Sequence, residues 1–408
     1  MIFGPNAAGK SNFLDALDLL SSLSSADTVS EAFEKHRGNR LDRQLPIRRF
    51  FYQEKEQSSP LTMNFEVDFE LQPRIIDELN TNLEEREELE NLERSYTRVT
   101  QSSLRYELSI EYHTDRRALY VTHEYLAPLR KDGKPKDNIV PYIRQKDRPS
   151  KISVKLERQS HPRYYELPRT RTLLSEISDW VNHPHLIATA RELKSTQIYY
   201  VEPARMRATV SDIDASDPGP HGEKLASFFH WLKREHPGQF KNLTHNLTRL
   251  IPSIESIDVR EAYEGFMELW VQEKESGEFP ASLISEGTLR LVCLLGIAAT
   301  PKPPAIVGYE EPENGVNPAR LGEMLAILEN AAGQNTGTQF FLTSHSPEVL
   351  NFFKEHDLFY CESGGEGSTL TPYDQLPLFK DSDLREKLGD VYKGRSKVGD
   401  EFKRGDFG

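Results

Sequence analysis

Gly4-Pro5-Asn6-Ala7-Ala8-Gly9-Lys10-Ser11 fits the pattern G-x-x-x-x-G-K-[ST] at every fixed position. It follows the apolar start Met1-Ile2-Phe3 and precedes a helical pattern that opens Asn12-Phe13-Leu14-Asp15-Ala16-Leu17. This order of strand, loop and helix commits the chain to a sheet with a helix rising from one strand end. The backbone N–H groups of such a turn form a nest for phosphate oxygens. The helix that follows points its positive N-terminus at the same anion. Lys10 is placed to reach the β- and γ-phosphates of a nucleotide, and the Ser11 hydroxyl to ligate Mg²⁺. Only three residues precede Gly4, fewer than the ~5–6 of an ordinary strand. The expectation is that the natural start lies upstream and that opening strands are missing.

Two later segments carry compatible chemistry. Ala305-Ile306-Val307-Gly308-Tyr309 is a short apolar run that ends in Glu310-Glu311-Pro312-Glu313-Asn314. Adjacent carboxylates on a strand point to opposite faces, so both serve one site only where the strand ends, and Pro312 supplies that end. The first would hold Mg²⁺ through its water shell and the second would orient or deprotonate a water. Gln339-Phe340-Phe341-Leu342-Thr343 is a second buried run, followed by Ser344-His345-Ser346-Pro347. A histidine at that strand end is either a satisfied polar residue or a contact for a γ-phosphate. Ser285-Glu286-Gly287-Thr288 opens a helical pattern: Ser285 fits an N-cap, and Gly287 admits close approach of a backbone to an anion, though an ordinary cap reads the same way.

Residues 62–72 alternate as a strand, 74–101 read as helical, and 104–126 and 152–156 as further strands. Residues 170–196 and 221–250 read as helical, and 257–274 as strands that turn near Gly265. The nucleotide-binding elements therefore sit at both ends of the chain. The expected organisation is a split ATPase domain, 1–72 and 201–408, around an inserted strand and helix block, 73–200. The length of 408 residues suits two or three domains. The longest apolar run, Leu291 to Ala299, is far short of the ~20 residues that span a bilayer. Cys293 and Cys361 stand alone, which indicates neither a zinc site nor a disulfide framework and suits a cytoplasmic setting.

The net charge of −13 argues against a protein that coats nucleic acid along its whole surface. Residues 129–171 nevertheless hold 13 Lys/Arg against 5 Asp/Glu, a local net of +8. Lys151 and Lys155 alternate with apolar residues, with Tyr164 and Tyr165 nearby. Such a face would meet a nucleic-acid backbone, meet an acidic partner, or stand solvated with no partner.

Taken together, GPNAAGKSN at 4–12, VEPARMR at 201–207, ISEGTLR at 284–290, YEEPENGVNP at 309–318 and FLTSHSPEVL at 341–350 resemble the ABC-type ATPases of the SMC, RecF and OLD group. The likeness is greatest to the RecF-like prokaryotic predicted ATPases and covers nearly the whole chain. It implies an α/β, P-loop NTPase fold (an ABC-type ATPase head) with an inserted α+β block, and a cytoplasmic enzyme that hydrolyses ATP with Mg²⁺. By that resemblance Gly4, Asn6, Ala7, Ala8, Gly9, Lys10, Ser11 and Asn12 bind the nucleotide, and Ser11 and Glu310 the metal. Glu311 is the catalytic base, His345 the switch histidine, and Asn314 to Asn317 the D-loop. Ser285, Glu286 and Gly287 form the signature motif, which acts on the γ-phosphate held by a second protomer, so an ATP-dependent homodimer is implied. The metal-binding acid is Glu310 where many relatives have Asp. Gln53 is the nearest candidate for the Q-loop. A DNA-maintenance or defence ATPase, a transporter motor and a weakly hydrolysing scaffold are the competing classes. The ~275 residues between phosphate loop and signature, and SEGT in place of SGGQ, speak against the transporter. Lys10, Ser11, Glu311 and His345 speak against the scaffold. Glu362 and Asp381-x-Asp383 lie too close together to form a fused Toprim nuclease, so any nuclease would be a separate polypeptide.

Overall fold

The computed structural model describes residues 1–36, 47–51, 60–90, 96–145, 150–157, 161–211, 215–333, 337–364 and 367–376. The chain forms two compact units, Met1–Leu14 with Gln197–Gly408, and Asp15–Thr196.

The first unit is built on a six-stranded sheet. Its order is Gly367–Pro372, Phe359–Gly364, Ile2–Phe3, Gln339–Ser344, Ile306–Glu310, Thr196–Tyr199. The Ile2–Phe3 strand runs parallel to both neighbours, with Phe3 opposite Ser344 on one side and Tyr360 on the other. The Ile306–Glu310 strand is parallel to Gln339–Ser344, with Glu310 opposite Thr343. Continuous apolar runs rather than alternation mark these strands, because a parallel sheet is covered on both faces. Phe3, Val307, Tyr309 and Tyr199 join one core with the helix Glu286–Ala298. A second, antiparallel sheet pairs Ile254–Tyr263 with Phe266–Glu273 through a tight turn at Gly265, φ +74°. The helices Leu225–Glu235 and Pro237–Leu250 pack on it. The helical pattern over 221–250 is divided in two there because Pro237 cannot continue the first helix but suits the first turn of the next.

The second unit is an antiparallel meander in chain order, Leu61–Glu70, Ser103–His113, Ala118–Pro128, Ile143–Gln145, Lys151–Val154 and Arg163–Glu166. The expected cut at residue 72 differs from the observed division after Leu14. Leu61–Glu70 pairs residue for residue with Ser103–His113, which ties it to the inserted sheet. The helix expected over 74–101 spans Pro73–Leu89. From Tyr96 the chain runs back along the helix. Glu87 accepts the Tyr96 N–H at 2.5 Å, and Asn80 bonds both polar groups of the Val99 backbone. The region 170–196, read as helical, holds the short helix Leu173–Glu176 and the longer Pro184–Lys194.

The basic segment is partly consumed by packing. Lys155 lies over the Tyr142 ring, and Arg169 lies over Tyr165 while pairing with Glu176. Ile152, Ser153 and Val154 are all buried, so the Lys151–Val154 strand lacks the alternating charged face expected of it. Arg144, Lys151, Arg163, Tyr164 and Arg171 remain exposed. Among the described residues no helix is long and apolar enough to cross a membrane.

Glu124, fully buried in this unit, accepts hydrogen bonds from Tyr106 Oη at 2.9 Å and from the backbone N–H of Leu173 and Leu174 at 2.7 and 3.3 Å. Burial pushes its carboxyl up to about 7, against those bonds. The folded value lies above that of an unfolded glutamate, so the fold favours the neutral form. Its contribution is therefore present below the unfolded value and lost as pH rises to about 7. Relative to Glu124→Gln, the wild type should lose about 2 kcal/mol in urea unfolding between about pH 5 and about pH 8. A difference that does not change with pH would show that the buried carboxyl does not titrate in this window.

Candidate functional site

Three parallel strands end at the same edge of the first unit's sheet. The phosphate loop leaves after Phe3, the acidic turn after Glu310 and the histidine turn after Ser344, with the registers Phe3↔Ser344 and Glu310↔Thr343 fixing their heights. The edge therefore gathers Lys10, Glu310, Glu311 and His345 from positions up to 335 residues apart in the chain, the separation of Lys10 and His345.

The loop has the backbone of an anion cradle. Gly4, Ala7 and Gly9 adopt positive φ values of 151°, 63° and 100°, and Ala7 does so without being glycine. A Cβ on Gly9 would lie 2.1 Å from Ser368 Oγ, so only glycine fits there. The helix Lys10–Leu23 starts at the lysine itself, with Ser11 and Asn12 in its first turn. Asn6 and Ala7 form the exposed crown, and Ala8 is buried, its carbonyl accepting from Cys361 Sγ at 3.3 Å. The Lys10 side chain folds back over the loop, donating to Gly4 O at 3.0 Å and Pro5 O at 2.9 Å. Burial lowers its pKa, while Cys361, Glu311, Glu313 and Glu310 pull it up. A nest, a helix N-terminus and a lysine held beside carboxylates fit a nucleotide phosphate with its metal.

The strand–turn transition after Glu310 lies at Glu311, one residue before Pro312. Glu311 adopts φ +48°, a left-handed conformation that is uncommon outside glycine. Its N–H still donates to Thr343 O at 2.9 Å. Its carboxylate is held from both sides, by Asn314 Nδ2 at 2.5 Å and His345 Nδ1 at 3.1 Å. The turn thus places the second carboxylate beside the histidine, partly exposed. Among the described residues no group of three His, Cys, Asp or Glu side chains is arranged to hold a metal ion. Mg²⁺ between Ser11 and Glu310 would take most of its oxygens from the nucleotide and water.

Ser285 caps the helix Glu286–Ala298, accepting from Thr288 N at 3.3 Å and donating to Thr288 Oγ1 at 2.9 Å. Glu286 is exposed, 3.7 Å from Arg207 Nη1, and Arg207 Nη2 donates to Ile284 O at 3.0 Å. Arg290 Nη1 donates to Val201 O at 3.1 Å, so the 201–207 segment braces this helix. The backbone that Gly287 admits is the protein's own: an added Cβ would lie 2.0 Å from the Gly315 carbonyl. The Ser285–Gly287 corner is therefore packed on the turn that follows the acidic strand. No hydrogen bond or ion pair among the described residues joins Ser285, Glu286 or Gly287 to Lys10 or Ser11. Gln53, Asp381 and Asp383 lie outside the described residues, and Glu362 is exposed on the strand Phe359–Gly364.

Sequence reasoning passed over Glu313 and Ser344. Ser344 Oγ donates to Glu313 Oε1 and accepts from Ser346 N at 2.9 Å. The available signal was the second acid in Glu311-Pro312-Glu313 and the serine directly before His345.

Residues 1–351 match the family described as "AAA domain, putative AbiEii toxin, Type IV TA system". No curated protein matches the chain. Among solved structures, an SmcHead bound to the C-winged helix domain of ScpA is similar at 12% identity, over 91% of this chain and 88% of that one, with a TM-score of 0.51. The Smc head domain with an extended coiled coil from Pyrococcus furiosus, bound to the C-terminal domain of ScpA, aligns at 11% identity over 95% and 92%, with a TM-score of 0.48. At this identity the likeness of the first shows fold alone. With a phosphate loop, an acidic strand end and a histidine strand end on one sheet edge, the chain has the P-loop NTPase fold seen in SMC heads and belongs to the AAA-domain family of the putative AbiEii type.

Proposed function

We propose that the protein binds Mg-ATP at the phosphate loop and hydrolyses it to ADP and phosphate, as an ATP-dependent dimer. The observation that carries this reading is the convergence of Lys10, Glu311 and His345 on one sheet edge, with His345 Nδ1 3.1 Å from Glu311. When bound, Mg²⁺ supplies a Lewis acid that neutralises charge on the phosphate oxygens. Ser11 and Glu310 would hold it. Lys10 exchanges its bonds to Gly4 and Pro5 for the nucleotide's oxygens. Glu311 takes the proton of the attacking water, and Asn314 and His345 keep its carboxylate aimed.

No hydrogen bond or ion pair among the described residues joins Ser285–Gly287 to Lys10 or Ser11, which fits two protomers arranged head to tail across a two-fold axis. Each nucleotide would lie between the Lys10 loop of one and the signature corner of the other. The γ-phosphate then supplies contacts that ADP lacks, so the dimer loosens after hydrolysis. Sedimentation of Glu311→Gln is expected to give a dimer with ATP and a monomer with ADP. Adding Ser285→Arg places a bulky cation in the seam and should give a monomer that still binds ATP. The same oligomeric state in all three samples refutes the arrangement.

The setting that best suits this chemistry is cytoplasmic, in DNA maintenance or anti-phage defence, with a separately encoded effector such as a nuclease. The exposed Arg144, Lys151, Arg163 and Tyr164 of the inserted unit favour a nucleic-acid contact there. Binding of a labelled oligonucleotide that weakens steeply with salt, and is lost when those four residues are replaced, tests it.

A further inference from the structure

Two carboxylates of one tripeptide tie the acidic turn to the histidine turn, and only one belongs to the chemistry described above. Glu311 bonds His345 through its side chain. Glu313, two residues on, reaches the same turn through Ser344. The Ser346 N–H donates to Ser344 Oγ, and the Ser344 O–H donates to Glu313 Oε1. This chain of two bonds brackets His345, whose backbone lies between Ser344 and Ser346. Ser344 itself is fully buried and sits opposite Phe3 in the sheet. The histidine backbone is thereby fixed on its N-terminal side by the sheet and on its C-terminal side by the serine relay.

We propose that Glu313 is a positioning residue for hydrolysis: through Ser344 it fixes the turn that aims His345 at Glu311. This rests on the ATPase reading of the same edge.

The carboxyl is a costly choice for a purely structural brace. Glu313 Oε2 is buried without a hydrogen-bond partner, and an unmet buried acceptor is destabilising. Burial holds the carboxyl above the usual glutamate range, against the Ser344 bond and the nearby His345. Only Oε1 is engaged, so the feature that matters is one acceptor at that point rather than the charge. Glutamine offers that acceptor with its carbonyl oxygen, while methionine matches the length and offers none. The relay is short, and misplacing a catalytic group by about an ångström costs up to about 100-fold in rate.

The test is steady-state ATP hydrolysis beside calorimetric ATP affinity, on the full chain. Glu313→Met should lower kcat by about 10- to 50-fold with Kd for ATP within about twofold. Glu313→Gln should stay within about threefold of wild-type kcat, and Ser344→Ala should reproduce the methionine loss. In a His345→Ala background, Glu313→Met should add less than about twofold, because the group it positions is gone. An unchanged kcat in Glu313→Met overturns the proposal. So does an equal loss in Glu313→Gln, a fully additive loss on His345→Ala, or a Glu313→Met protein that no longer binds ATP. If the wild type hydrolyses no ATP, or hydrolyses it at the rate of Glu311→Gln, the ATPase reading fails instead.

Discussion

Glu311→Gln is expected to bind Mg-ATP with wild-type affinity and to turn it over about 100- to 10,000-fold more slowly. The amide keeps the size of the side chain and can still accept from His345 or Asn314, so the turn should hold. What it loses is the capacity to take a proton from water. The left-handed backbone at Glu311 sharpens the expectation. Strain of this kind persists only where its surroundings impose it, and here the Thr343 carbonyl, Asn314 and His345 all do so. Single-turnover hydrolysis, which separates chemistry from product release, is the measurement. Wild-type turnover in the variant would move the base elsewhere, with His345 the next candidate.

Lys10→Ala is expected to weaken ATP binding by about 30- to 1000-fold, a loss of about 2–4 kcal/mol. The lysine is buried and held by two loop carbonyls, so its ammonium is already positioned and little ordering is needed when phosphate arrives. Removal has a second effect: the Gly4 and Pro5 carbonyls lose the ammonium as donor, Pro5 keeping the Ala8 N–H at 3.3 Å, and the loop loses a brace. Calorimetry with ATP should therefore show both a weaker affinity and, for the variant without nucleotide, a slightly lower melting temperature. Equal ATP affinity in the two proteins would remove the phosphate role from this loop.

Much of the candidate site's layout was legible in the sequence. The phosphate loop is a contiguous octapeptide, and the acidic and histidine turns each follow a short apolar run, so strand-end chemistry could be read directly. Local patterns of this kind depend on neighbours a few residues away. The interior boundaries were less legible for the same reason. A helix over 74–101 fits the charge and stripe of the sequence, yet the helix stops at Leu89, and Glu87 and Asn80 recruit the returning chain. Lys151–Lys155 alternates like a strand with one wet face, yet Ser153 lies buried under its neighbours. Residues 61–70 sort with the inserted unit because their partner strand lies some 40 residues downstream, and pairing between distant strands has no trace in local pattern.

By itself, the sequence determined the phosphate loop, the order of the strand-end motifs and the chemistry each is capable of, because those rest on residue types and short spacings. Only the tertiary structure decided that three strand ends share one edge, and that Glu311 turns left-handed to meet His345. It also decided that Gly287 packs on Gly315, and that Glu313 reaches Ser344. The shared edge depends on the register of strands joined by long crossovers, and the other contacts join turns and helices far apart in the chain, so none is set by any segment alone.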